Sequence, residues 1–433
     1  MADGMSGPMI QGRVIAIHGV LIRARLPVAR IADMCVLRDP RGGRQLQAQV
    51  VALEGEDALL SPIGGVHGLS VHTQVVATGQ PPQLDVGDHL LGTVVDPLGQ
   101  RLDREQQGSI DPSHRRCRLH PVYAPPVPPM QRRCVSGALI TGIRAIDGLL
   151  TMAHGQRIGL LGSAGVGKSS LMTSLIAQAD ADVVILGLVG ERGREVRELI
   201  EERLDPQLRK RLVAVVATSD RAAAERAMAA DTATCIAEYF RDRGLRVLLL
   251  IDSLTRYARA LRELGLAAGE PPARRGYPPS FFAALPRLLE RAGCGQGEGS
   301  ITGIYTILTE GDITQDPVAE EAISILDGHI VLSDILARRN HFPAIDILHS
   351  RSRLMPVVVN TEHALAADAV RDALARLDES ELLRQVGEYR QGVDPLTDRA
   401  VARADEILAF LRQEASHSEA LDSTVARMKA LLA

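Results

Sequence analysis

The sequence predicts an α/β fold at the centre of the chain, a P-loop domain with a mostly parallel sheet. A small β-barrel is expected before it and a helical domain after it. Three observations predict this. Between Gly155 and Ser333, short apolar runs alternate with helical segments, the signature of strand–helix–strand units whose strands are buried on both faces. Between Gly12 and Thr78, β-branched runs are bounded by Gly, Pro and Asp, as in a small closed sheet. From Thr361 onward the strand pattern stops and apolar residues recur at helical spacing. The expected divisions fall at 1–80, 81–358 and 359–433.

Taken in order, the barrel strands are read from "GRVIAIHGVLIRARLP", "LQAQVVALEG" and "DALLSPI". A further strand is expected over Leu90 to Val95, followed by a turn at Pro97 to Gly99. The stretch from Arg104 to Arg133 contains "YAPPVPPMQRR", and its prolines predict an extended surface connection. The sheet strands are then "RIGLLG", "DVVILGLVG", "RLVAVVATS", "RVLLLID", "SITGIYTIL" and "GHIVLS". In the last part, Ala366, Ala369, Val370, Ala373, Leu374 and Leu377 mark one helix. Val401, Ala404, Ile407, Leu408 and Leu411 mark another.

Composition narrows the class. The 433 residues are 45% hydrophobic and 24% charged, with a net charge of −4, which argues against a dedicated nucleic-acid binder. Tryptophan is absent and aromatics are 3%, so platforms for stacking bases are sparse. The 5 cysteines have no CxxC spacing, which indicates neither a disulfide framework nor a zinc site. The opening "MADGMSGPMIQG" has no basic or apolar leader segment, and no apolar run approaches the ~20 residues that span a bilayer. A cytoplasmic protein is expected, one that can still dock on a membrane complex.

The chemistry concentrates at Gly162-Ser163-Ala164-Gly165-Val166-Gly167-Lys168-Ser169, followed by Ser170, between a strand and a helix. Glycines let the backbone wrap an anion, inward N–H groups and the helix N-terminus favour negative charge, and the lysine reaches phosphate. Ser169 is expected to ligate Mg²⁺. A second Mg²⁺ contact is expected from Asp252, at the C-terminal end of "RVLLLID"; the competing reading is a plain cap for the next helix. Glu191 follows its strand at the same sheet edge and could accept a proton from water. It could equally be part of a solvated charged helix start, because signs alternate from Glu191 to Glu198. Arg192 could pair with Glu191 or with phosphate. Arg351 and Arg353, in "HSRSRLMP", could be surface or ion-pair arginines, or could meet a γ-phosphate. From the residues alone, this is a Mg-ATPase with a candidate base.

The motifs "LGTVVDPLGQRLD", "LITGIRAIDGLLTMAHGQRIGLLGSAGVGKSS", "VGERGREV", "LLLIDSLTRYARA", "GEPPARRGYPPSFFAALPRLLERAG" and "LDGHIVLS…HFPAIDIL…SR" resemble the rotary-ATPase family over nearly the whole chain. Within that family, which includes ATP synthase catalytic subunits, "RYARA", "PRLLERAG", "RAIDGLLT" and "GEYRQGVD…FLRQ" are most similar to the ATPases of type III protein export, the injectisome branch more than the flagellar one. The resemblance implies a RecA-like centre and a phosphate loop at Gly162 to Ser169. It implies a water-activating Glu191, an acid on the Mg²⁺ side at Asp252, and Arg192 and Arg256 near the phosphates. Arg353 would be a finger reaching the neighbouring subunit's site.

It further implies ATP and Mg²⁺ as cofactors and a homo-oligomer, most simply a hexamer. The partners implied are central stalk and stator proteins and chaperone–substrate complexes, at the base of a secretion apparatus peripheral to the inner membrane. Loops Gly276 to Pro286 and Glu310 to Pro317 would face the pore, although Phe281 and Phe282 could instead be core. Some residues depart from the family pattern. Asp334 stands where Arg is usual, Asn340 where Gly is common, and the segment before the barrel is short. A ring-shaped RNA translocase is the rival reading, but the first strands carry no aromatic residue for RNA contacts.

Overall fold

The structure is a computed structural model that describes residues 11–40, 45–103, 118–309 and 316–432. The opening segment, residues 104–117 of the Arg104–Arg133 connection and most of the Glu310–Pro317 loop lie outside the described residues.

The first unit is a closed antiparallel barrel. Its strands run round in the order Gln11–His18, Leu21–Arg25, Asp57–Ile63, Gln45–Glu54, Met34–Arg38 and Gln74–Ala77, the last pairing back onto the first. Alternation drives closure. Val14, Ile22, Ala24, Leu37, Ala48, Leu60 and Val75 point inward and pack together, while their neighbours face out. Closing the ring leaves no free strand edge.

The central sheet has 9 strands. Its main path runs Ile345–Ser352, Gly328–Leu332, Arg157–Gly162, Ser300–Leu308, Arg246–Asp252, Val183–Glu191, Leu212–Thr218 and Thr93–Val95. Neighbours along the path are parallel except at the Ile345–Ser352 edge. The strands are apolar at nearly every position because successive residues enter two different cores. Ile185, Val189, Leu249 and Ile251 pack toward the long helix Ala223–Asp242. Val184, Leu186, Leu188, Leu248 and Leu250 pack on the opposite face, with the helix Lys168–Gln178 and with Ile407, Phe410 and Met428 of the C-terminal helices. The C-terminal helices therefore share a sheet face with the helix that opens at Lys168.

Some elements differ from the expectation. The strand after the barrel is only Thr93–Val95; Leu90 closes a 3₁₀ turn, and Gly92 at φ 78 breaks the extended run. This short strand joins the edge of the central sheet. The proline-rich connection is not wholly irregular, because Arg118–Pro121 pairs with Gln83–Val86. The helix expected across Val401 to Leu411 is two, Pro395–Ala402 and Ala404–Leu411, separated at Arg403. Phe281 is 0% exposed and packs against Tyr277 and Phe282, so it belongs to the core of helix Pro279–Leu289 rather than to a pore surface. Asn340 adopts φ 52, a left-handed turn that asparagine tolerates. Among the described residues, no helix is long and apolar enough to cross a membrane.

Candidate active site

Strand Arg157–Gly162 ends at the phosphate loop, and the helix Lys168–Gln178 begins at its far side. Gly165 and Gly167 sit at φ 87 and φ 95, conformations that let successive N–H groups turn toward one point. Nothing lies within 4 Å of a Cβ placed on Gly165, so the backbone there is open to a ligand. Ala164 is exposed and Val166 is buried, anchoring the loop to the core. Lys168 is 9% exposed, and its Nζ donates to the carbonyl oxygens of Gly162, at 2.6 Å, and Ser163. Burial lowers its pKa to about 8, against the opposing charges of Asp252, Asp334 and Glu191. Ser169 and Ser170 are exposed on the first helical turn.

Asp252 is the last residue of Arg246–Asp252, next but one in the sheet to the loop strand. Its Oδ1 accepts from Thr306 Oγ1 at 2.5 Å. The helix cap is supplied by Ser253, whose hydroxyl faces Arg256 N, so Asp252 is left facing the cleft. Burial raises its pKa, while Thr306 and the Lys168 charge pull it down.

Glu191 ends the adjacent strand Val183–Glu191. Only 13% of its side chain is exposed, and Arg256 Nε lies 3.1 Å from its Oε1, so the solvated-helix-start alternative does not describe it. Gly190, at φ 70, lets the chain turn so that glutamate and arginine meet; a Cβ there would lie 2.9 Å from Arg256 Cδ. Burial first, then the Asp252 charge, pushes Glu191 up to about 7, while Arg256 works in the opposite direction. Ser169, Glu191, Glu195 and Asp252 line one cleft of about 340 Å³. Arg256 also donates to Gly190 O at 2.5 Å, which fixes its position.

The arginines divide. Arg192 is 73% exposed and pairs with Glu195 at 2.8 Å. Arg351 and Arg353 are both exposed. Arg353 N donates to Asp327 O, and Asp327 N donates to Arg157 O. Arg353 therefore lies level with the first residue of Arg157–Gly162, whereas the phosphate loop follows the last. At ~3.3 Å per strand residue the two are about 17 Å apart, beyond the reach of an arginine side chain. The structure thus brings Lys168, Ser169, Glu191, Asp252 and Arg256 to one end of the sheet and leaves Arg353 at the other.

Residues 142–352 match the ATP synthase alpha/beta family nucleotide-binding domain, and residues 14–79 match that family's beta-barrel domain. Residues 359–430 match the T3SS EscN ATPase C-terminal domain. The type 3 secretion system ATPase of Sinorhizobium fredii is 53% identical over 98% of this chain and 92% of its own length. The chain belongs to the type III secretion ATPases. Another member, from Xanthomonas euvesicatoria, is 48% identical over 96% of this chain and 92% of its own. The flagellum-specific ATP synthase of Pseudomonas aeruginosa is 44% identical over 98% and 94%. Among solved structures, the assembled ATPase EscN of enteropathogenic E. coli superposes with a TM-score of 0.91 at 44% identity, covering 98% of this chain and 100% of that one.

Sequence reasoning did not anticipate every cleft beside the phosphate loop of this secretion ATPase. A second cleft, of about 250 Å³, lies between the phosphate-loop helix and the C-terminal unit and is lined by Gly167, Leu171, Phe342, Gln413 and Ala415. Phe342 is 41% exposed, with its ring 3.5 Å from a Cβ placed on Gly167. In a chain with only 5 phenylalanines, an exposed one inside "HFPAIDIL" was a signal available beforehand. Thr306, which holds Asp252, gave no signal, because a threonine in a buried strand reads as packing.

Proposed function

We propose that this ATPase hydrolyses Mg-ATP in a ring of identical subunits, each active site being completed by Arg353 of a neighbour. The observation that carries the reading is the separation of Arg353 from its own phosphate loop by the length of a strand. A donor that cannot reach its own loop could meet a phosphate only in another copy. The Mg²⁺ reading is supported by the donor set: a serine hydroxyl and a carboxylate on one cleft are hard oxygen ligands suited to that ion.

In this reading, Lys168 and the loop N–H groups hold the phosphates, and Ser169 and Asp252 hold Mg²⁺. The ion would offset charge on the phosphate oxygens. Phe342 and the Gln413–His417 segment give the adenine an apolar slot. Glu191 takes the proton of the attacking water while the bond from the γ-phosphorus to the oxygen of ADP breaks. Arg256 restrains Glu191, and Arg192 pairs with Glu195, which lines the cleft. Energy release would serve chaperone removal and substrate loading. The relatives solved as EscN assembled, and as EscN with its central stalk EscO, support a ring with a stalk partner. The proposed place is cytoplasmic, peripheral to the inner membrane, with stator proteins alongside and with domain limits near residues 80 and 358.

The test mixes two inactive variants, Glu191→Gln and Arg353→Ala. Confirmed mixed rings should regain partial turnover, because some interfaces join an intact Glu191 to an intact Arg353. Mixed rings that native mass spectrometry verifies but that stay silent would sink the two-chain site.

A further inference from the structure

We propose that Asp334 is a positioning residue that sets the charge met by nucleotide phosphates at the loop, weakening binding and favouring release. The proposal rests on the nucleotide-binding reading of that loop. Strand Gly328–Leu332 is the parallel neighbour of Arg157–Gly162, so both chains leave the sheet at the same end. The two ends are packed tightly: a Cβ on Gly162 would lie 3.0 Å from Leu332 Cβ. Ser333 caps the helix Asp334–Arg338 by accepting from Leu336 N, which fixes Asp334 at the helix start. Its Oδ1 then accepts from Ser163 Oγ at 2.5 Å.

This carboxylate differs in kind from the others in the site. Asp252 is held by Thr306 and Glu191 is paired with Arg256, each at a strand end facing the cleft of Ser169. Asp334 reaches the loop from the other side of its strand, is exposed, and occupies the hydroxyl of a loop residue. It also acts electrostatically on Lys168. An incoming nucleotide brings negative charge to the same ammonium, so Asp334 opposes it by like-charge repulsion. The opposition is greater for a nucleotide without Mg²⁺, which carries more negative charge, and is weakened by salt because the group is exposed.

The experiment titrates the full chain with ADP bearing a fluorescent ribose label, with and without Mg²⁺, at low and high ionic strength. Asp334→Asn removes the charge and keeps an oxygen for Ser163. It should lower Kd roughly 3- to 10-fold at low salt, more without Mg²⁺ than with it, and the gain should shrink as salt rises. KM for ATP should fall while kcat does not rise. Ser163→Ala, which removes the hydrogen bond but leaves the Asp334 charge, should not reproduce this salt-dependent gain. Asp334→Ser serves as a second neutral variant should the asparagine melt early. Unchanged or weaker ADP binding in folded neutral variants, or a gain that ignores salt, overturns the proposal. A parent chain that binds no labelled ADP would instead refute the nucleotide reading, and the proposal with it.

Discussion

At the residue scale, the site depends on groups moved away from their ordinary ionisation. Glu191 is pushed up to about 7 by burial and Asp252, and Lys168 is lowered to about 8 by burial. A base that must be ionised and a cation that must be charged together give kcat/KM a bell-shaped pH profile, with limbs near these two values. A stopped assay across pH 5.5 to 9.5 checks it; a flat profile counts against both roles. The sign for stability is opposite to the usual carboxylate case. Between about 4.5 and 7 the folded state holds the Glu191 proton that the unfolded state has lost, so this residue's contribution falls as pH rises. Glu191→Gln should abolish that slope and lower turnover by ~10²–10⁴-fold while labelled ATP still binds. Lys168→Ala should instead weaken binding itself, because it removes a charge-assisted phosphate contact, and calorimetry separates the two outcomes. The loop was legible from sequence because its chemistry is local. The partners of Glu191 and Asp252 were not, because Arg256 and Thr306 lie on other segments and meet them only through the sheet.

At the element scale, strand identity was readable wherever apolar runs were continuous, because a strand sandwiched between two helical layers tolerates no polar alternation. Reading was weakest where one residue changes the path, as at Gly92 or Arg403. The helix Pro279–Leu289 shows why. "YPPSFFAALP" suits an exposed loop as well as a helix start, and only packing decides that Phe281 and Leu285 point inward. Phe281→Ala should therefore destabilise the protein by ~3–5 kcal/mol, as large-to-small core changes do, and a chemical-denaturation curve measures it. A loss under 1 kcal/mol, with the fold intact, would place the ring outside the core.

At the scale of the whole molecule, the barrel, the sheet and the C-terminal helices were all legible from the change in hydrophobic period along the chain. Their relative placement was not, since it follows from which sheet face each helix covers. Assembly supplies the prediction here. Because Arg353 stands about a strand's length from its own loop, specific activity should climb with protein concentration as rings form. An arginine of this kind contributes ~10³–10⁵ in rate in related phosphoryl-transfer systems, so dilute subunits should be nearly silent. Turnover per subunit that is constant across dilution, while light scattering reports monomers, would contradict it.

The sheet face shared by the phosphate-loop helix and the C-terminal helices has a mechanical consequence. Gln413, Ala415 and His417 form one wall of the cleft whose other wall is Gly167 and Leu171. A force that tilts the C-terminal helices therefore changes the width of that cleft, with no relay through the sheet. A ligand seated in that cleft would in turn resist the tilt. Cleft width and helix tilt are then coupled directly, much as the jaw of a clamp reports the position of its handle.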